Sequence, residues 1–167
     1  PTWASEREAL ALAHGHRDWI ARQMERAVPA QALADGAEFM HFGRMVRIAW
    51  SAEHPRGPRL TGDVLHVGGA VESLAPRVLR WLQAEAKRAY AEDLAFYCAR
   101  AGVAIPRLSI GDARSRWGSC SSRGGIRMNW RLVMATPDVR RSVVAHEVAH
   151  LTHMDHSPRF YAHLDSI

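Results

Sequence analysis

The sequence predicts an α+β domain, a small antiparallel sheet packed on helices. Three observations predict it. Apolar residues recur at helical spacing from Leu12 to Ala27 and from Leu79 to Ala101. Short runs elsewhere alternate apolar and polar residues, as in Ile126-Arg127-Met128-Asn129-Trp130-Arg131. A third helical stretch, Val143 to Leu151, is apolar apart from two histidines and a glutamate. At 167 residues the chain makes one domain, or one domain with a small appendage, and is long enough to bury a sizeable core. It divides into residues 1–70, an N-terminal helix with a small β subregion, and residues 71–167, the main core, with both in one unit.

The elements follow in order. Ser5-Glu6-Arg7-Glu8 is a capping box that opens the first helix. Leu12, Trp19, Ile20, Met24 and Ala27 form its apolar stripe, and Pro29 ends it. His14 and His16 flank Gly15 with no evident partner residue. Phe39 to Phe42 and Arg44 to Trp50 read as strands joined at Gly43, and Leu60 to Val67 as a hairpin turning near Gly62-Asp63. Together they predict a small antiparallel sheet. Ser73 starts a long helix, with Pro76 tolerated in its first turn and Gly102 closing it. Leu79, Leu82, Ala86, Ala89, Leu94, Tyr97 and Ala101 are its buried stripe.

Arg107 to Ile110 is a strand, and Ser121 to Gly125 a turn. Ile126, Met128 and Trp130 give the following strand one apolar face. Thr136 is placed to cap the next helix, with Pro137 at its first position and Asp138 in its first turn. That helix is expected to run to about His153. Ser157 and Pro158 then start a short last helix carrying Phe160, Tyr161 and Leu164.

The chemistry lies in His146-Glu147-Val148-Ala149-His150. Residues four apart share one helix face, so two imidazoles reach one small cation. Zinc takes histidine nitrogen at about 2.0–2.1 Å and keeps a position open for water in catalytic sites. Glu147 sits beside the pair and can take a proton from that water, which is why this pattern on a helix points to a zinc hydrolase. The flanks Val143 to Ala145 call for burial, and burying a carboxylate with two imidazoles is costly unless they are paired or bound to metal. A half-exposed helix with incidental histidines is the plainer alternative.

His153 and His156 compete as third ligand. His153 lies about 10.5 Å beyond His146 along the axis, in a row with the other two. A tetrahedral ion needs ligands from diverging directions. His156 follows the break at Asp155, so the returning chain brings it in from another side.

Composition narrows the function. No stretch is long and apolar enough to span a bilayer, and Pro1 to Ala13, with Glu6, Arg7 and Glu8, does not read as a signal peptide. Cys98 and Cys120 are the only cysteines, which argues against a disulfide framework and for a reducing, cytoplasmic setting. Neither has a partner at metal-ligand spacing. Net charge is +5, and Lys87 is the only lysine. The arginines are scattered along the chain, which favours a solvated basic surface over a dedicated nucleic-acid site.

The segment from Arg116 to Phe160 resembles the YgjP-like metallopeptidase family, a relative of the WLM and SprT-like zinc proteases. The matching residues are Arg116-Trp117-Gly118-Ser119-Cys120, Asn129-Trp130-Arg131-Leu132, His146 to His150, and His156-Ser157-Pro158-Arg159-Phe160. The match extends in layout to about Glu38 and covers the first helix only loosely. The resemblance implies a zincin-like α+β fold, a small antiparallel or mixed sheet packed on helices that include the metal-binding one. It implies one zinc ion per chain, held by His146, His150 and His156 in a metallohydrolase core at residues 71–167. It also implies a strand edge near the metal helix to which an extended peptide adds.

The expected activity is a zinc metallopeptidase acting on peptides or proteins, with Glu147 as the catalytic proton carrier. Arg116, Tyr161 and His153 are candidates for stabilising the oxyanion. Arg116 has a plainer reading as a hairpin anchor, and Trp117 as core. A nucleoside triphosphate pyrophosphohydrolase on the same metal site is the alternative, although no Gly-rich phosphate loop is present. A SprT-like DNA-associated protease is another, and a non-catalytic metal-stabilised module would leave Glu147 idle. Nucleotides and nucleic acid are thus less favoured partners than a peptide, and no membrane partner is expected.

Overall fold

The alternation read from residue 38 to residue 67 becomes a four-stranded sheet in the computed structural model, which describes residues 32–167. The Ser5–Glu8 capping box, the helix expected from it, and His14 and His16 lie outside the described residues. Strands β1 (Glu38–His41) and β2 (Arg44–Trp50) form a hairpin, as do β3 (Arg59–Thr61) and β4 (Val64–Val67). The first turns through Phe42 and Gly43, both left-handed, with φ of 49° and 78°. The two hairpins join through β2 and β4, which pair parallel, so the order is β1-β2-β4-β3 and the sheet is mixed rather than antiparallel throughout. The parallel register sets Ile48 beside Leu65 and Trp50 beside Val67. Phe39, Val46, Ile48, Leu65 and Val67 are all buried in the common core. Burying these alternate residues together fixes the register, since a slip by one residue would turn them to solvent.

A single 3-10 turn, Val71–Ser73, leads into helix α1 (Leu74–Ala101). Ser73 precedes the helix as expected, but its hydroxyl donates to Ala70 O at 2.8 Å instead of capping an N–H. Gly102, with φ of 66°, closes the helix in the left-handed conformation that glycine adopts without strain. The buried stripe of α1 is wider than its leucines suggest and includes Val78, Tyr90, Asp93 and Cys98.

The second sheet holds β5 (Leu108–Gly111), β6 (Gly118–Cys120) and β7 (Ile126–Asn129) in the order β5-β7-β6. Here β6 and β7 form the expected hairpin, while β5 adds to β7 in parallel. The strand expected to continue through Arg131 ends at Asn129. Its side-chain oxygen accepts from Arg131 N at 3.0 Å, which turns Trp130–Met134 into a 3-10 segment.

Helix α2 (Pro137–Ala149) begins after Thr136 with Pro137 at its first position, although the Thr136 side chain makes no capping bond. It ends at Ala149, four residues before the expected His153. The chain tightens there: Leu151 N bonds Val148 O, Thr152 N bonds Ala149 O, and the His150 ring bonds His153 O. Helix α3 (Pro158–Ser166) starts at Ser157, whose hydroxyl accepts from Phe160 N. One buried pair locks α1 to α2. Arg140 Nε donates to Asp93 Oδ2 at 2.6 Å and Arg140 Nη2 to Oδ1 at 3.2 Å. Arg141 adds a third bond to the same carboxylate. No helix among the described residues is long and apolar enough to cross a membrane.

Candidate metal centre

Three histidine rings converge where α2 ends and α3 begins. His146 lies in the last turn of α2, His150 is its C-cap, and His156 comes from the turn before Ser157. His150 Nε2 stands 3.2 Å and His156 Nε2 3.1 Å from His146 Nε2, and the three ligand atoms all lie within 4.8 Å of one another. The buried Phe160 ring backs all three, with centroid separations of 4.9, 4.6 and 5.0 Å to His146, His150 and His156. It fixes the rings from the apolar side and leaves their nitrogens facing one another.

That arrangement fits a metal ion. His150 Nδ1 lies 2.9 Å from the carbonyl oxygen of His153, so the proton belongs on Nδ1 and Nε2 presents a lone pair. Lone pairs facing each other at about 3 Å repel unless a cation lies between them. Two nitrogens at about 2.05 Å from a tetrahedral zinc stand about 3.3 Å apart, close to the spacing observed. Burial, then the neighbouring His150 and His156, push the proton affinity of His146 below that of an ordinary histidine, which favours the neutral form a metal needs. The early end of α2 has a role here. Turning the chain at His150 sets the His153 carbonyl against the ring and starts the return that delivers His156.

Glu147 occupies the next position on the helix and points elsewhere. It is 6% exposed, and its Oε2 has no protein hydrogen-bond partner. The carboxylate lies against β6, where a Cβ on Gly118 would stand 2.5 Å from Oε1. Burial raises its pKa above the ordinary glutamate value. Positive charge on His150 when its ring is protonated, the charge of Arg116 and a hydrogen bond from the Cys120 backbone N–H pull it back. A buried carboxylate with one oxygen free, beside three converging imidazoles, can carry a proton to or from a molecule held there.

The remaining candidates are placed differently. His153 contributes its carbonyl, and its ring faces His163 at 5.7 Å. Tyr161 is exposed, with its ring centroid 6.3 Å from that of His156. Arg116 is exposed in the loop before β6 and acts on Glu147 through its charge. Trp117, read from sequence as core, is 54% exposed.

Two features escaped sequence reasoning. Gly118 is needed for its missing side chain. Asn129 organises the loop that carries Arg116 and Trp117. Its side-chain amide donates to Ala113 O at 2.7 Å and Arg116 O at 3.3 Å, and its backbone N donates to Trp117 O at 2.8 Å. The Gly118 and Asn129 positions lie within the matching segments named above, but nothing local marks either role.

The model of the YgjP-like family, described as a metallopeptidase domain, matches residues 1–167, further than the resemblance visible from Glu38 onward. No curated protein matches the chain.

Proposed function

The chain belongs to the YgjP-like metallopeptidase family, and from that premise we propose that it is a zinc-dependent peptidase in which Glu147 carries the proton. The observation that carries this reading is the set of three imidazole nitrogens at metal-ligand spacing beside a buried glutamate with a free oxygen. His146, His150 and His156 would hold one zinc ion per chain, leaving a tetrahedral position open. When bound, zinc acidifies water and polarises the scissile carbonyl.

The chain's own residues do the rest. Glu147 accepts the proton of the attacking water and returns it to the leaving nitrogen, a task suited to a carboxylate whose pKa burial has raised above the ordinary glutamate value. Gly118 and the Cys120 N–H aim that carboxylate. Arg116 places positive charge near the site, where an oxyanion develops.

Strand β6 supports a peptide substrate. It is an outer strand of its sheet. Trp117 O and Ser121 N bond toward β7, at Asn129 N and Gly125 O. The alternation of an antiparallel ladder then turns the backbone groups of Gly118 and Cys120 to the outer edge, where the Cys120 N–H meets Glu147 and the Gly118 groups and the Cys120 carbonyl face a partner strand. An extended peptide adding there lies beside Glu147. Both cysteines are free thiols, in keeping with a cytoplasmic setting.

The test is a panel of unstructured proteins, peptides and nucleoside triphosphates, assayed with and without a chelator. Chelator-sensitive peptide cleavage is expected. Turnover of nucleoside triphosphates with no cleavage of any peptide would replace this reading with the pyrophosphohydrolase one.

A further inference from the structure

Basic residues scattered along the sequence converge on one groove. Three adjoining concavities, of about 300, 440 and 520 Å3, follow the outer face of the β5-β7-β6 sheet. The first two share Arg116 and Trp117, and the first and third share Gly111 and Arg127. Arg127 stands in register with Ser109 on β5 and Ser119 on β6. Its neighbours along β7, Ile126 and Met128, face the core. The Arg127 side chain reaches across β5, because a Cβ on Gly111 would run into its guanidinium. Lys87 lines one end of the groove and Arg114 the other.

The charge is one-sided. Among the described residues, Asp112 is the only acidic one lining the three concavities, and it is tied to Arg131. Among the described residues no carboxylate forms an ion pair with Lys87, Arg114, Arg116 or Arg127. Gly118 joins this groove to the metal centre, since it lines the first concavity and also abuts the Glu147 carboxylate.

Resting on the peptidase reading above, we propose that the groove selects the substrate: it takes acidic side chains of a polypeptide that passes the β6 edge and continues across the sheet face toward Arg127 and Lys87. One exposed ion pair contributes little, but several like charges on one track act together in orienting a partner. A polypeptide fits better than single-stranded nucleic acid. Sites for the latter combine cations with successive stacking rings, and among the described residues Trp117 is the only aromatic ring in this lining.

The experiment measures anisotropy of short labelled peptides on the zinc-loaded Glu147→Gln variant, which holds peptide without cutting it. One peptide carries Glu at alternate positions, a second carries Gln there, and a single-stranded oligothymidine is the third probe. The Glu peptide should bind on the order of tenfold tighter than the Gln peptide at low salt, and Arg127→Gln and Lys87→Gln should each narrow that ratio by about two- to fivefold. Equal binding of the two peptides, a ratio that neither variant moves, or tighter binding of the oligonucleotide with the same dependence on Arg127 would overturn the proposal. Cleavage of both peptides by the unsubstituted protein is read in parallel. A binding preference with no cleavage of either refutes the peptidase reading, whereas cleavage of both at equal rates refutes the groove's role in selection.

Discussion

Replacing Gly118 with alanine should remove most turnover while leaving the fold and the metal site in place. A Cβ at this position would stand 2.5 Å from Glu147 Oε1, 2.7 Å from Cγ and 2.8 Å from Cδ. Ordinary contacts between such atoms lie at about 3.5 Å or more, so the carboxylate must retreat by about 1 Å. The group that yields is the end of a side chain, and Gly118 has no left-handed φ that alanine would strain. The stability cost is therefore at the low end for overpacking, about 1 kcal/mol. Catalysis is less forgiving, since a 1 Å misplacement of a reacting group costs on the order of 100-fold. The same shift loosens the hydrogen bond from the Cys120 N–H. The assay is kcat and KM on a peptide substrate, with zinc content and a thermal melt on the same samples. The expected result is kcat lower by about 100-fold, with zinc content and fold retained. A wild-type kcat would refute the argument that β6 aims Glu147, and loss of zinc would refute its confinement to the carboxylate.

Two further perturbations separate other parts of the account. His156→Ala should weaken zinc binding far more than His153→Ala, because His156 contributes a ring nitrogen to the cluster while His153 contributes its backbone carbonyl, which alanine keeps; isothermal titration with zinc decides it, and a larger loss for His153→Ala sinks the ligand assignment. Asp93→Ala should destabilise the protein by about 3–5 kcal/mol, since it leaves Arg140 buried without its partner; urea unfolding measures this, and a loss below about 1 kcal/mol would show that the pair does not hold α1 to α2.

What the sequence made legible is local. The four-residue spacing of His146 and His150, the turn pair Ser157-Pro158 and the stop at Gly102 each rest on neighbours in the chain, and the structure places all of them as expected. Geometry also brought His156 rather than the His153 ring to the cluster, because a break in the helix is visible as a break in the pattern. The misses are non-local. Parallel pairing of β2 with β4 and of β5 with β7 depends on which faces share a core, and alternation alone says nothing about strand direction. The Asp93–Arg140 pair spans 47 residues. Helix α2 is shorter than its apolar pattern, which continues to Leu151, because the chain turns at His150, where the ring bonds the His153 carbonyl. Trp117 is a large aromatic whose plainer reading is core, yet it is exposed and lines the groove, and Gly118 carries no side chain to signal what it accommodates.

The central claim is that three histidines hold one zinc while Glu147, which is not a ligand, moves the proton. Zinc content and peptide hydrolysis, measured together on the unsubstituted protein and on Glu147→Gln, test it most directly. The account predicts one zinc per chain in both proteins, with hydrolysis lower in the variant by about 100- to 10,000-fold and abolished in the unsubstituted protein by a chelator. Hydrolysis by Glu147→Gln at the unsubstituted rate, or a variant that purifies without zinc, would contradict it.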